Sequence, residues 1–205
     1  MSRVRVKICG ITSVADAVGA ADAGADAIGI NFYPPSPRCV SIEQAKAIAL
    51  AVHPFVKTVG LFVNHEPAEI RRVLETVPLD LLQFHGDETE VICRDAAKPY
   101  IKALRFRNAD ETASAASQFP SAQGIMIDSF VPGKRGGTGK VFDWHQLQVN
   151  TSALILAGGL TPENVANAIN IVGPSAVDTS GGVERAPGIK DHQLIQRFVE
   201  AALSA

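Results

Sequence analysis

The chain of 205 residues is long enough for one sizeable hydrophobic core and short for two, so residues 1–205 are predicted to form a single domain. Its 19 lysines and arginines nearly balance its 21 acidic residues, and it has no basic stripe, membrane-length apolar run or signal-peptide segment, which argues against nucleic-acid and membrane partners. Cys9, Cys39 and Cys93 are an odd, widely spaced set that fits neither a disulfide framework nor a zinc site, so we expect a cytoplasmic protein without a bound metal.

Short apolar runs alternate with helix-like segments along the whole chain. Eight strands are predicted, at 3–8, 26–32, 55–63, 79–84, 100–104, 124–128 and in the runs that begin at Leu154 and Ala176. A helix is predicted after each strand, with caps at Thr12 or Ser13, at Ser41 and at Thr161, and with other segments at 64–77, 87–97, 110–119, from Asp143 and at 190–203. Strict alternation implies a parallel sheet with crossover helices.

The ends of the last two predicted strands favour a barrel over an open sheet. They carry paired glycines, Gly158-Gly159 and Gly181-Gly182, which let backbone N–H groups point at an anion. Two such turns match the phosphate site that (β/α)8 barrels form after strands seven and eight. A doubly wound sheet would carry its glycine fingerprint after the first strand, and the residues after Ile8 have none. We therefore predict an α/β fold, a single-domain (β/α)8 TIM barrel with a small phosphorylated substrate.

Barrel active sites lie at the C-terminal ends of the strands, so the polar residues at those ends are the candidates. These are Cys9, Asn31, Arg38, Asn64, Gln83, His85, Arg105, Asp128, Asp178 and Ser180. Most of them must serve the scaffold or position the substrate, and the chemistry is expected to fall to a few.

Cys9 and Asp128 are the two candidates best suited to proton transfer. Cys9 closes the first strand, either as a small buried hydrophobe or as a thiolate that acts as base or nucleophile. Lys7 shares its face by the period of two, so this lysine either tunes the thiol or is structural. Asp128 ends the sixth strand, where partial burial can raise the pKa of a general acid. The two residues would face each other across the barrel mouth.

The loop Tyr33-Pro-Pro-Ser-Pro-Arg38 is stiffened by its prolines and presents an arginine at the same end. Arg38 is either a solvated surface residue or a guanidinium that forks onto a substrate carboxylate. The segment Gly136-Gly-Thr-Gly139 resembles a phosphate loop in composition only, and we interpret it as a flap over the site. His85 is either a catalytic group or a structural histidine.

Several motifs together resemble one family, the phosphoribosylanthranilate isomerases of tryptophan biosynthesis. They follow the family's order and are Lys7-Ile-Cys-Gly-Ile-Thr12, Phe32-Tyr-Pro-Pro-Ser-Pro-Arg38, Leu61-Phe-Val-Asn64, Gln83-Phe-His-Gly86, Gly136-Gly-Thr-Gly139 with Phe142-Asp-Trp144, Ala157-Gly-Gly-Leu160 and Val177-Asp-Thr-Ser-Gly-Gly-Val-Glu184. The resemblance covers essentially the whole chain, and the ordered set is highly specific. Phe84 is a small departure, since the family more often has leucine there.

The resemblance implies an Amadori rearrangement of N-(5-phosphoribosyl)anthranilate into the 1-deoxyribulose 5-phosphate derivative, with no cofactor. It implies that Cys9 is the general base, that Asp128 is the general acid and that Arg38 holds the anthranilate carboxylate. Asp178 would accept a hydrogen bond from the anthranilate amine. The 5′-phosphate would be held by backbone N–H groups near Gly158, Gly159, Ser180, Gly181 and Gly182.

Two other interpretations stay open at the level of the sequence. A sugar-phosphate isomerase of histidine biosynthesis is a related barrel, but it has an aspartate at the position of Cys9. A non-catalytic phosphometabolite-binding barrel would keep the glycine turns, yet it has no reason to place Cys9, Asp128 and Arg38 around one mouth. The assembly is predicted to be a monomer or a homodimer.

Overall fold

Eight parallel strands close into a barrel in the computed structural model, which describes residues 3–129, 143–147, 151 and 153–205. The strands are β1 (Arg5–Ile8), β2 (Ala27–Asn31), β3 (Lys57–Phe62), β4 (Leu81–Phe84), β5 (Tyr100–Arg105), β6 (Gly124–Asp128), β7 (Leu154–Leu156) and β8 (Ala176–Thr179). Each strand pairs with the next in sequence, and β8 returns to β1, so the sheet has no free edge. The predicted (β/α)8 barrel is confirmed.

Seven α-helices are described on the outside of the barrel. They are α1 (Val14–Asp22), α2 (Ile42–Ala51), α3 (Pro67–Leu74), α4 (Glu90–Arg94), α5 (Ala109–Ser117), α6 (Val165–Val172) and α7 (His192–Leu203). The predicted caps at Ser13 and Ser41 are confirmed, because each hydroxyl accepts a hydrogen bond from the backbone N–H three residues later. Within the described ranges, every helix is too short or too polar to cross a membrane.

Two helix predictions near the end of the chain differ from the structure, one in the type of helix and the other in the residue at which the helix begins. From Asp143 the described residues form only a short 3-10 helix, Trp144–Gln146, because the Asp143 carboxylate caps that turn and the backbone at Leu147 is already extended. The sixth helix begins at Val165 rather than at Pro162. Thr161 closes a tight turn first, its carbonyl accepting from the backbone N–H groups of the third and fourth residues after it.

A short antiparallel hairpin, β9 (Glu184–Ala186) with β10 (Ile189–Lys190), follows the eighth strand and was not predicted. The closing helix therefore begins at His192 instead of Lys190. Asp191 caps it by accepting hydrogen bonds from the two backbone N–H groups at 193 and 194. The hairpin lies between the glycine turn after β8 and the last helix, which places it next to the barrel mouth.

Alternation along the strands divides the side chains between two cores. Outward-facing residues such as Val6 and Ile8 join a large apolar layer between the strands and the helices. The apolar filling inside the barrel is small and consists of Ile101, Ala103, Met126 and Ala157, with Leu81 and Ile155 beside them. Because this filling is small, polar groups can occupy the upper part of the barrel.

Candidate active site

All nine residues predicted for the site line one pocket at the C-terminal end of the barrel, of about 320 Å³. They are Cys9, Arg38, Asp128, Gly158, Gly159, Asp178, Ser180, Gly181 and Gly182. Strands β1, β6, β7 and β8 and the loop after β2 contribute them, so barrel closure brings together residues that are far apart in sequence.

The other strand-end candidates divide into two groups. Asn31, Gln83 and His85 line the pocket, whereas Asn64 and Arg105 do not. The other lining residues were not among the candidates from the sequence; they are Gly10, Tyr33, Ser36, Leu61, Val63, Ala157, Leu160, Thr161 and Thr179. Most of these are apolar or small residues whose position depends on loop geometry, which strand periodicity does not report.

The Cys9 thiol lies beside a buried ion pair. Lys7 Nζ donates to Asp178 Oδ1 at 2.6 Å, with side-chain exposures of 7% and 10%. Lys7 and Asp178 are neighbours in register on β1 and β8, so both project into the barrel. A Cβ at Gly29 would stand 2.7 Å from Cys9 Sγ and 3.1 Å from Lys7 Nζ. Glycine at that position therefore leaves room for the thiol and the ammonium group on one face.

Burial and charge together set the ionisation of this group. Burial raises the pKa of the Cys9 thiol, Lys7 lowers it and Asp178 raises it, with a net upward shift. Burial lowers the pKa of Lys7, but Asp178 and Cys9 outweigh it, so that pKa also shifts upward. The free protein accordingly holds a neutral thiol beside a cation at neutral pH. Additional positive charge, or a higher pH, is needed to form the thiolate.

Asp128 lies on the other side of the pocket and has a histidine partner. Its carboxylate is buried, and His85 Nε2 approaches Asp128 Oδ2 to 3.2 Å. The Gln83 amide nitrogen lies 3.0 Å from His85 Nδ1, and in this amide orientation it donates the hydrogen bond. His85 then carries its proton on Nε2, facing Asp128. Gln83, His85 and Asp128 form a chain that runs from the barrel interior to the pocket.

The two glycine turns lie where the sequence predicts a phosphate cradle. Gly158 and Gly159 both have positive φ, at 87° and 70°, and a short 3-10 helix over Gly181–Val183 follows β8. A Cβ at Gly158 would stand 2.3 Å from the backbone nitrogen of Ser129 and 2.6 Å from Asp128 Oδ1. The turn after β7 therefore packs directly against the carboxyl group that ends β6.

Arg38 is not a solvated surface residue. The loop that carries it is folded back on β2, since Ser36 Oγ accepts from Asn31 Nδ2 and from the Arg38 backbone N–H, each at 3.1 Å. The Arg38 side chain is 15% exposed, and its guanidinium forms a two-point hydrogen bond with Glu184. Glu184 belongs to β9, so the sequence, which did not predict the hairpin, offered no signal for this contact.

The predicted flap, residues 136–139, lies outside the described residues. Within the ranges that the structure describes, no three histidine, cysteine, aspartate or glutamate side chains are grouped as metal ligands. All three cysteines are free thiols, and Cys9 and Cys93 are buried.

Comparison with known families decides what kind of barrel this is. Residues 6–201 match the family model described as N-(5'phosphoribosyl)anthranilate (PRA) isomerase. The chain belongs to the phosphoribosylanthranilate isomerase family. The sequence-based resemblance is thereby confirmed over nearly the whole chain.

Individual members of the phosphoribosylanthranilate isomerase family are similar along their full length. The N-(5'-phosphoribosyl)anthranilate isomerase of Pseudomonas fluorescens strain Pf0-1 is 56% identical over 202 residues, which cover 98% of this chain and 99% of that protein. The crystal structure of the Thermotoga maritima isomerase has a TM-score of 0.89 and 41% identity, covering 98% of this chain and all of that one.

Two further structures of phosphoribosylanthranilate isomerases bear on ligand and assembly. One is described as a complex with reduced 1-(o-carboxyphenylamino)-1-deoxyribulose 5-phosphate; its TM-score is 0.85 and its identity 40%, with 98% of this chain covered and 100% of that one. The other is described as monomers generated from the dimeric Thermotoga maritima enzyme; its TM-score is 0.84 and its identity 38%, with the same coverage. The pocket described above is thus set in the fold that this family uses.

Proposed function

We propose that the protein catalyses the Amadori rearrangement of N-(5-phosphoribosyl)anthranilate to 1-(2-carboxyphenylamino)-1-deoxyribulose 5-phosphate, a step of tryptophan biosynthesis, with Asp128 as general acid and Cys9 as general base. The observation that carries the proposal is the placement of Cys9 and Asp128 in one pocket together with the two glycine turns. Family membership supports the same reaction, as does the relative whose structure is described with a reduced form of the product.

The reaction begins at the ring oxygen of the ribose. Asp128 donates its proton to that oxygen, the C1′–O bond breaks, and the lone pair of the anthranilate nitrogen forms a protonated imine. A half-turn of the Gln83 amide would place its oxygen at His85 Nδ1 and leave Nε2 free to accept from protonated Asp128. The same three side chains therefore suit both protonation states of the acid.

The second step is removal of the C2′ proton. The positively charged imine acidifies this proton, so a thiolate is a sufficient base and no metal or organic cofactor is required. The same positive charge favours ionisation of Cys9, whose pKa in the free protein is raised by burial. The C2′–H electrons form the C1′–C2′ double bond of an enolamine and the imine electrons return to nitrogen. The enolamine then tautomerises to the ketone by gaining a proton at C1′ and losing one from the C2′ hydroxyl.

The ends of the substrate are assigned to different elements of the mouth. Backbone N–H groups of the turns at 158–159 and 180–182 would hold the 5′-phosphate. Arg38 would bind the anthranilate carboxylate. Asp178 would accept from the anthranilate amine while it holds Lys7 beside Cys9.

The test follows anthranilate-type fluorescence after purified protein is mixed with freshly made phosphoribosylanthranilate, without metal or nucleotide. The wild type should remove the fluorescence rapidly, and Cys9→Ala should be slower by about 10²–10⁴-fold, the usual contribution of a general base. Equal rates in the two proteins would show that Cys9 is structural. Inactivity of both would favour the non-catalytic phosphate-binding barrel, and binding of sugar phosphates would then be measured directly.

Location and assembly complete the proposal. We infer a cytoplasmic protein, supported by three free thiols, which persist in a reducing compartment. The assembly is a monomer or a homodimer, the second in line with the relative described as dimeric. Light scattering on the purified protein distinguishes the mass of one chain from that of two, and a larger mass would contradict both.

A further inference from the structure

The guanidinium of Arg38 is held along one edge by a buried carboxylate. Its Nε donates to Glu184 Oε1 at 2.8 Å and its Nη2 to Glu184 Oε2 at 2.6 Å. The Glu184 side chain is 4% exposed, so this pair is shielded from solvent at the base of the mouth. Two parallel hydrogen bonds fix the plane of the guanidinium as well as its position.

This contact leaves one binding edge of the guanidinium available. A guanidinium has five N–H groups, and the pair with Glu184 uses Nε and one N–H of Nη2. Nη1 and the second N–H of Nη2 form the other two-point edge, and neither has a hydrogen-bond acceptor within the part of the chain that the structure describes. Because Arg38 lines the pocket, that edge is the one available to an anionic ligand.

A second cation keeps Glu184 from cancelling the charge of Arg38. Lys190 Nζ donates to Glu184 Oε1 at 2.8 Å and to the Ser180 carbonyl at 3.1 Å, and its side chain is fully buried. The cluster thus has two positive groups and one negative group, a net charge of one positive. Without Lys190, the carboxylate would neutralise Arg38 and compete with an incoming anion for it.

The hairpin that carries both Glu184 and Lys190 is tied to the loops around the mouth. Thr12 Oγ1 donates to the Gly188 carbonyl at the hairpin turn at 2.6 Å. Gly188 has φ +80°, and a Cβ there would stand 2.9 Å from the carbonyl oxygen of Pro37, the residue before Arg38. The hairpin therefore packs against the proline loop, while its Glu184 holds the guanidinium and its Lys190 holds Glu184.

We propose that Glu184 is a positioning residue that aims the free edge of Arg38 at the carboxylate of the substrate, with Lys190 preserving the positive charge of the cluster. The inference rests on the proposed function, because it assumes that Arg38 binds the anthranilate carboxylate. The inference adds a structural basis for selectivity, namely how the protein selects a substrate with an ortho carboxylate over one without it. Glu184 itself does not touch the reacting atoms.

The test compares two substrates that differ only in this carboxylate. N-(5-phosphoribosyl)anthranilate and N-(5-phosphoribosyl)aniline are prepared from ribose 5-phosphate and the corresponding amines, and kcat and KM are measured for both. The quantity of interest is the selectivity, the ratio of the two kcat/KM values. It is measured for the wild type, Arg38→Ala, Glu184→Gln and Glu184→Asp, with thermal unfolding to verify that each variant is folded.

We expect Glu184→Gln to lower the selectivity by about tenfold or more, the value of one charge-assisted hydrogen bond. The loss should appear as a higher KM for the carboxylated substrate, while kcat/KM for the aniline substrate stays close to wild type. Glu184→Asp keeps the negative charge on a shorter side chain, so its selectivity should lie between those of the wild type and Glu184→Gln. Arg38→Ala should remove the selectivity altogether.

The matched control is Glu88→Gln, which also neutralises a buried glutamate paired with a lysine. Glu88 and Lys102 are both 2% exposed and 2.7 Å apart, and Glu88 makes no contact with Arg38. The selectivity of Glu88→Gln should equal that of the wild type, even if this variant is less stable.

The positioning role would be overturned if folded Glu184→Gln kept the wild-type selectivity, or if its kcat/KM fell equally for both substrates. Failure of wild type and Arg38→Ala to differ in selectivity would instead reject the carboxylate role of Arg38, and with it this inference.

Discussion

The two residues that we propose for proton transfer have different surroundings on the two sides of the barrel mouth. On the side of β1 and β8, Cys9 lies beside the buried ion pair of Lys7 and Asp178. On the side of β4 and β6, Asp128 faces a histidine that is held by a neutral amide. A buried thiol needs a nearby cation to ionise, whereas a carboxylic acid needs only a partner that accepts or donates one proton.

The difference predicts where catalysis and stability are coupled. Breaking the ion pair beside Cys9 leaves a buried charge without a partner, so the fold and the chemistry should suffer together. Changes around Asp128 break its hydrogen bond with His85 but leave no buried lysine without its counter-ion, so they should affect mainly the chemistry.

Asp128→Asn should have the largest effect on turnover. The amide cannot supply a proton, so kcat should fall by about 10²–10⁴-fold while the melting temperature changes little. The measurement is the fluorescence assay, with thermal unfolding followed by circular dichroism. A variant that keeps more than a tenth of wild-type kcat would show that another group protonates the ring oxygen.

Lys7→Met should damage both stability and pH dependence. Asp178 would be left as an unpaired buried carboxylate, at a cost of about 3–5 kcal/mol in unfolding free energy. The Cys9 thiolate would lose its nearest cation, so the pKa of the thiol would rise further. Since the base must be deprotonated, kcat/KM increases with pH through that pKa, and its ascending limb should move to higher pH.

Lys102→Met is the matched control for the change at Lys7. It also breaks a buried lysine–carboxylate pair, that of Lys102 with Glu88 at 2.7 Å, but this pair lies away from Cys9. Comparable destabilisation with an unshifted ascending limb is expected. An equal shift of the limb in both variants would mean that global loosening, not the charge of Lys7, sets the ionisation of Cys9.

His85→Asn should produce a smaller, purely catalytic loss. Asparagine is too short to reach Asp128 as the imidazole does, so the acid would lose its fixed orientation and kcat should fall by about tenfold. The wild-type melting temperature should be nearly retained. An unchanged kcat would show that His85 is a structural residue and that the chain from Gln83 through His85 does not assist Asp128.

Asp16→Asn is expected to have the smallest effect. Asp16 Oδ1 pairs with His192 Nε2 at 2.8 Å on the outer surface between α1 and α7, where the histidine side chain is 51% exposed. The Asp16 side chain is only 11% exposed, but asparagine keeps an oxygen that can accept from the half-exposed histidine, so chemical denaturation should show a loss of about 1 kcal/mol. Turnover should be unchanged, and a clear loss of activity would show that the outer layer of helices controls the mouth.

Sequence periodicity and turn chemistry were sufficient to predict the barrel and the residues that line the candidate pocket. The period of two places Lys7 and Cys9 on one face, and paired glycines after β7 and β8 indicate the phosphate turns. Contacts between strands that are distant in sequence could not be predicted, because the partner of Lys7 is fixed by the register of β1 on β8. Glu184 was missed for a related reason: a hairpin of two very short strands has too few residues for a period to show.

The claim that Cys9 is the base is tested most directly by titrating its thiol. The ultraviolet absorbance of thiolate is recorded against pH for wild type and for Cys9→Ala, and the difference isolates Cys9 from Cys39 and Cys93. The same buffers are used for kcat/KM. We expect the difference signal and the ascending limb to share one midpoint, above the ordinary thiol value of about 8.5. The account would be contradicted if kcat/KM rose over a pH range in which the difference absorbance does not change. It would also be contradicted if the ascending limb persisted in Cys9→Ala.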